Sequence, residues 1–120
     1  MATILVIDDE PAVRDLIQKV LISAGHQVTV AHDGEEGLKQ LAKSGVELAI
    51  VDLYMAERET MTTLTSLRNR FPELPFIAMS ATPFTDEMLK TSSFLGIKAT
   101  LKKPFSTRQL LKTVEHTLQS

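Results

Sequence analysis

Apolar positions along this chain alternate five times between a period of two and a period of about 3.6, the mark of strands alternating with helices. TILVI (Thr3 to Ile7) is a short β-branched run, and from Pro11 the positions Val13, Leu16, Ile17, Val20, Leu21 and Ala24 fall on one helical face. Gly25 ends that helix. Val28 to Val30 reads as a second strand, and Asp33 with Glu36 three residues on is an N-cap signature for a short helix carrying Leu38, Leu41 and Ala42, closed by Gly45. Glu47 to Val51 is nearly continuous apolar sequence, as expected of a central parallel strand covered on both faces. Met61, Leu64, Leu67 and Phe71 mark a third helix, stopped by Pro72, and Pro75 to Met79 forms strand four. A weaker helix over Asp86 to Leu95 ends at Gly96, Ile97 to Leu101 is the fifth strand, and Ser106 with Gln109 caps a last helix carrying Leu110, Leu111, Val114 and Leu118.

Alternating βα units with short connections imply right-handed crossovers, hence a doubly wound α/β fold with a parallel sheet and helices on both faces. In such sheets functional groups collect beyond the carboxyl ends of the strands. Asp8, Asp9, Asp52, Ser80 and Lys103 all fall there. Taken singly, an acid at a strand end is commonly a turn or cap residue and a lysine there a solvated edge residue. Three acids and a lysine converging on one edge are different, because carboxylates packed together repel one another and favour a divalent cation between them.

Composition narrows the functional classes. At 120 residues the chain is read as one domain spanning 1–120. Cysteine is absent, which removes disulfides and thiolate metal sites and fits a reducing compartment. No apolar stretch approaches the roughly 18 residues of a membrane span, so a soluble, cytoplasmic protein with no membrane partner is expected. A net charge of −2 and a pI near 5.9 argue against direct nucleic-acid binding. His26, His32 and His116 are scattered without metal-ligand spacing and are read as surface residues.

Four motifs in order, ILVIDDE, DLYM, MSA and KKPF, run from end to end of this frame. Together they resemble the receiver domain of bacterial two-component response regulators, a CheY-like, flavodoxin-like (βα)5 fold. The resemblance implies a five-stranded parallel sheet of order 2-1-3-4-5. It makes Asp52 the phosphoacceptor, a carboxylate nucleophile taking a phosphoryl group from a phosphohistidine. Asp9 would hold Mg²⁺ directly, Asp8 mainly through water, with Asp52 and the Tyr54 backbone carbonyl completing the protein ligands; Mn²⁺ would substitute. Lys103 would pair with the phosphoryl oxygens, the Ser80 hydroxyl beside Ala81 would swing toward them, and the Lys103–Pro104 peptide would be cis. Implied partners are a sensor histidine kinase or histidine phosphotransfer protein and a downstream effector, with no separate substrate turned over.

Charge counting gives independent support. Three carboxylates against Lys103 alone leave the site negative, and a divalent cation neutralises it, so phosphoryl transfer should be strictly metal-dependent. Phosphorylating Asp52 turns one negative charge into about two, and Ser80 and Lys103 are the groups available to meet it. Three other functions fit the frame less well. A Mg²⁺-dependent aspartyl-phosphate hydrolase would carry a first-strand Asp-x-Asp pattern, which is absent here. A degenerate receiver acting as a constitutive interaction module is favoured by Ala56, Thr60 and Thr100 but opposed by the complete acid and lysine set. Flavin binding is disfavoured because Asp8 and Asp9 occupy the loop where a nucleotide phosphate would sit.

The family pattern places Pro at Ala56, Gly at Thr60 and an aromatic ring at Thr100. Tyr54 and Thr82 flank the direction from which water would reach an acyl phosphate. Thr100 has no ring to turn inward, so the expectation is intact phosphoryl chemistry with altered output coupling across the predicted fourth helix, fifth strand and last helix. A large chemical-shift response confined to that face on phosphorylation would count against it.

Overall fold

A strand buried on both faces needs apolar side chains at every position and neighbours on both sides for its backbone polar groups. The two central strands meet that demand. In the computed structural model, which describes residues 2–43, 45–53, 60–82, 90 and 96–119, β3 (Leu48–Asp52) and β4 (Phe76–Ser80) are buried at every residue. Around them lie β1 (Thr3–Ile7), α1 (Pro11–Ser23), β2 (Gln27–Ala31), α2 (Gly34–Lys43), α3 (Thr60–Arg70), β5 (Ile97–Lys102) and α4 (Thr107–Gln119). The five strands are all parallel, in the order β2-β1-β3-β4-β5, as expected. The helix expected over 86–95 lies outside the described residues apart from Lys90, which is helical.

The sheet separates two apolar cores. On one face Ile17 and Leu21 of α1 and Leu110 and Val114 of α4 pack on Ile4, Val6, Ile50 and Met79. On the other, Leu41 of α2 and Leu64 and Leu67 of α3 pack on Leu5, Ile7, Val51 and Phe76. Alternate residues of one strand thus feed opposite cores, as the period of two requires. The apolar stripe read for α1 is narrower than the sequence suggests. Ile17 and Leu21 form its buried centre with Val13 and Val20 beside them, whereas Leu16, one position round the helix from Ile17, is 54% exposed and Ala24 is exposed too.

The helix ends follow the sequence signals closely. Gly25, at φ 96°, closes α1 with paired bonds from Gly25 N to Ile22 O (2.9 Å) and His26 N to Leu21 O (3.1 Å), a Schellman arrangement. Asp33 Oδ1 accepts from Glu36 N at 2.9 Å. At α4 the box is reciprocal: Ser106 Oγ accepts from Gln109 N at 3.0 Å, and Gln109 Oε1 from Ser106 N at 2.9 Å. His26 departs from the surface reading, being half-buried with its Nδ1 accepting the Ala2 backbone N–H at 3.1 Å. On the outer strand β5 the register slips between Phe76 and Ile77, leaving Lys98 as the extra, exposed residue of a bulge. A bulge and a lysine on an outer strand both discourage pairing with another chain.

Candidate functional site

Parallel strands in register deliver their carboxyl ends to one edge, and the two central strands end on polar residues that are buried there. Asp52, the last residue of β3, is 3% exposed, and Ser80, the last of β4, is fully buried. Asp8 follows β1 directly and is also fully buried. Its backbone N–H continues the ladder to Ala31 O at 3.1 Å, which fixes where its side chain leaves the sheet. From the other side Lys103 N donates to Ser80 O at 2.7 Å, tying the end of β5 to that of β4. The Lys103–Pro104 peptide that follows is cis, as the resemblance implies.

The lysine ammonium stands where three acids converge. Lys103 Nζ lies 2.9 Å from Asp8 Oδ2, 3.0 Å from Asp52 Oδ2 and 3.3 Å from Glu10 Oε1. Its side chain is only 14% exposed, so the contacts to the buried Asp8 and Asp52 are made largely out of water, whereas Glu10 is mostly exposed. Burial works to lower the Lys103 pKa, but the hydrogen bonds and negative charges of Asp8 and Asp52 outweigh it and hold the ammonium above the ordinary lysine range. For Asp8 the balance falls the other way. Burial pushes its carboxyl above the ordinary range, helped by the charge of Asp52, although Lys103 and the Glu10 N–H both bond to it.

One oxygen from each of Asp8, Glu10 and Asp52 lies within 4.8 Å of the others, and this group is the acid cluster found among the described residues. Carboxylate oxygens at that spacing are the donor set that a hard divalent cation takes. Asp9, half-buried beside them, stands outside this group, while Glu10 enters it unforeseen. The reason is a turn. The chain bends at Asp9, and the Glu10 backbone N–H donates to Asp8 Oδ1 at 2.9 Å, which brings Glu10 back beside Asp8. That signal was present in the DDE run but needs the conformation of the loop to be read.

Ser80 is buried at the same edge, with its proton already placed. Its Oγ donates to Thr82 O at 2.8 Å, accepts from Thr82 N at 3.1 Å and lies 3.1 Å from Thr82 Oγ1. To bond anything on Asp52 the hydroxyl must first release that carbonyl. Ala81 beside it is exposed. Thr100 sits half-buried on β5 opposite Ala78, and with Ala99, Lys112, Thr113 and His116 it lines a cleft of about 260 Å³. Tyr54 and Ala56 lie outside the described residues, as does the side chain of Thr60.

Known proteins carry the same frame. Response regulator MprA of Mycobacterium ulcerans is 31% identical over 108 residues, covering 90% of this chain and 46% of that protein. Transcriptional regulatory protein DltR of Streptococcus agalactiae is 28% identical over 111 residues, 92% of this chain and 49% of that one. The chain therefore spans about half the length of the curated relatives it matches. Among solved structures, chemotaxis protein CheY4 of Vibrio cholerae superposes with a TM-score of 0.90 at 26% identity, covering 98% of each chain. Response regulator protein TrrA of Thermotoga maritima, solved in complex with Mg²⁺ and BeF, gives 0.84 at 26% identity over 98% of this chain and 99% of that one. A family profile covers residues 4–115, nearly all of the strands and helices just described, and it is that of the response regulator receiver domain, the family to which this chain belongs.

Proposed function

We propose that this chain is a phosphorylation switch in which Asp52 takes a phosphoryl group from the phosphohistidine of a sensor histidine kinase or a histidine phosphotransfer protein. An Asp52 carboxylate oxygen attacks phosphorus, the phosphorus–nitrogen bond breaks, and the leaving imidazole is protonated. The product is an acyl phosphate on Asp52. One observation carries this reading: a nearly buried carboxylate ends the central strand with a lysine ammonium 3.0 Å from its Oδ2 and a second buried acid on the same ammonium.

Asp8 and Asp52, with Asp9 and the Tyr54 carbonyl brought in by the family resemblance, are assigned as the cation ligands, and Glu10 stands at the rim of the set. A bound Mg²⁺, or Mn²⁺ in its place, supplies neutralising charge for the transferring phosphoryl oxygens. Lys103, which bridges Asp8 and Asp52, is the group that would turn to the new phosphoryl charge. Ser80 gives up Thr82 O and donates to a phosphoryl oxygen instead. Thr100 sits beyond Ser80 on the neighbouring strand and, lacking a ring, leaves the phosphoryl chemistry intact while altering how it reaches the output face.

The domain works in the cytoplasm on a protein or domain partner rather than on nucleic acid or membrane, and turns over no separate substrate. No helix among the described residues is long and apolar enough to cross a membrane. Incubation with Mg²⁺ and a small acyl phosphate donor, read by intact mass, is expected to add one phosphoryl group to the wild type and none to Asp52→Ala or to the wild type in EDTA. An adduct that survives Asp52→Ala, or no adduct at all, would refute the assignment.

A further inference from the structure

The loop that carries Asp8, Asp9 and Glu10 leads into α1 without the side-chain cap that fixes the starts of α2 and α4. Glu10 occupies the N-cap position, yet no side chain caps the helix and no acidic residue lies in its first turn. At α2 and α4 the corresponding position is held by Asp33 and by the Ser106–Gln109 box. Beside the Glu10 N–H bond to Asp8 Oδ1, it is Arg14 that holds the Asp8 to Glu10 loop. Its backbone N–H donates to Glu10 O at 3.1 Å, closing the first turn, and its guanidinium Nη1 reaches back to Asp8 O at 2.9 Å in a partly buried bond. One residue thus ties the helix to both ends of the acidic loop.

We infer that Arg14 is a positioning residue for the cation-binding acids, acting through the Asp8 carbonyl to hold Asp8 and Glu10 at the separation a divalent ion needs. This inference rests on the proposed metal site. Asp8 and Glu10 converge on one ammonium, and a divalent ion taken up between them needs their oxygens held at a fixed separation. A guanidinium is always charged and presents its donors in a rigid fork, which suits it to bracing a carbonyl from six residues away. The opposite role can be distinguished by sign. If Arg14 acted only as a nearby positive charge, it would repel the divalent ion, and its removal would tighten binding.

The test is Mn²⁺ binding to the folded, unphosphorylated protein, with the free aquo ion counted by electron paramagnetic resonance, for wild type, Arg14→Met and Arg14→Lys. Loss of a partner that orients metal ligands typically weakens affinity ~10-fold or more. Arg14→Met is expected to weaken binding by about that factor, and Arg14→Lys, which keeps the charge but not the fork, to fall between it and the wild type. Arg14→Met binding as tightly as the wild type, or more tightly, would overturn the inference while leaving the metal site standing. A wild type that binds no Mn²⁺ would overturn the metal reading and this inference with it. If Arg14→Met does not fold, Arg14→Lys decides: weaker binding supports the brace, and unchanged binding overturns it.

Discussion

Replacing Lys103 by Met is expected to cost the metal-free protein about 3 to 4 kcal/mol at pH 7, among the largest losses a single substitution here should give. The ammonium is the cation seen bonding to Asp8 and Asp52, which are almost wholly out of water. Remove it, and two buried negative charges face each other without the ammonium that now bonds to both. The variant has one escape, which is to take up a proton on one of the pair. Protonating a carboxyl at pH 7 costs about 1.4 kcal/mol for each pH unit above its ordinary pKa, and this caps the loss. The deficit should therefore shrink by roughly 1.4 kcal/mol per unit as pH is lowered from 7 toward 5. Urea unfolding of both proteins in EDTA at several pH values measures it. A deficit that does not change with pH would mean that Lys103 contributes through packing of its methylenes alone. In the wild type the Lys103 pKa lies above its unfolded value, so its stabilisation is full through neutral pH and is lost only in the alkaline range as the ammonium deprotonates.

Asp8→Asn and Asp52→Asn should do the reverse: each stabilises the metal-free protein, by about 2 kcal/mol, while weakening Mg²⁺ binding on the order of 10-fold or more. Each removes one charge from a site that holds more buried acid than Lys103 alone neutralises, and each amide keeps the shape of the carboxylate. For Asp8 the pH dependence follows from the direction of its shift. Its folded pKa is raised by burial, so the folded wild type binds a proton more readily than the unfolded chain and loses stability as pH rises through that range. The advantage of Asp8→Asn should thus be full at neutral pH and fade in acid. Thermal unfolding of the two proteins from neutral to acid pH, in EDTA, reads this directly. A variant less stable than the wild type at neutral pH would show that Asp8 is held for structure rather than for a cation. The site trades stability for function, as sites built from like charges do.

Much of this geometry is legible in the sequence because it rests on period and position. Strand ends fix Asp52 and Ser80 at one edge, and a period of two sorts Leu5 and Ile7 from Ile4 and Val6 into separate cores. Capping signals at Asp33 and Ser106 are local, so they appear as read. What was not legible depends on where a long or flexible group turns. Glu10 joins the acids only because the chain turns at Asp9, and Arg14 braces that loop only because its side chain folds back along the chain rather than outward. The Ser80 proton is committed to Thr82 O, a choice among acceptors that residue types alone do not make. Leu16, apolar and at helical spacing, faces solvent because Ile17 and Leu21 already define the buried line.

The most direct measurement is to locate the phosphoryl group. Protein treated with Mg²⁺ and a small phosphodonor, then reduced with borohydride and digested, should carry homoserine in place of Asp52, because hydride reduces an acyl phosphate and leaves free carboxylates untouched. The account predicts that product at position 52 alone, and only when Mg²⁺ was present. Reduction at Asp8, Asp9 or Glu10, or a phosphoryl group that resists borohydride and maps to Ser80, would contradict it.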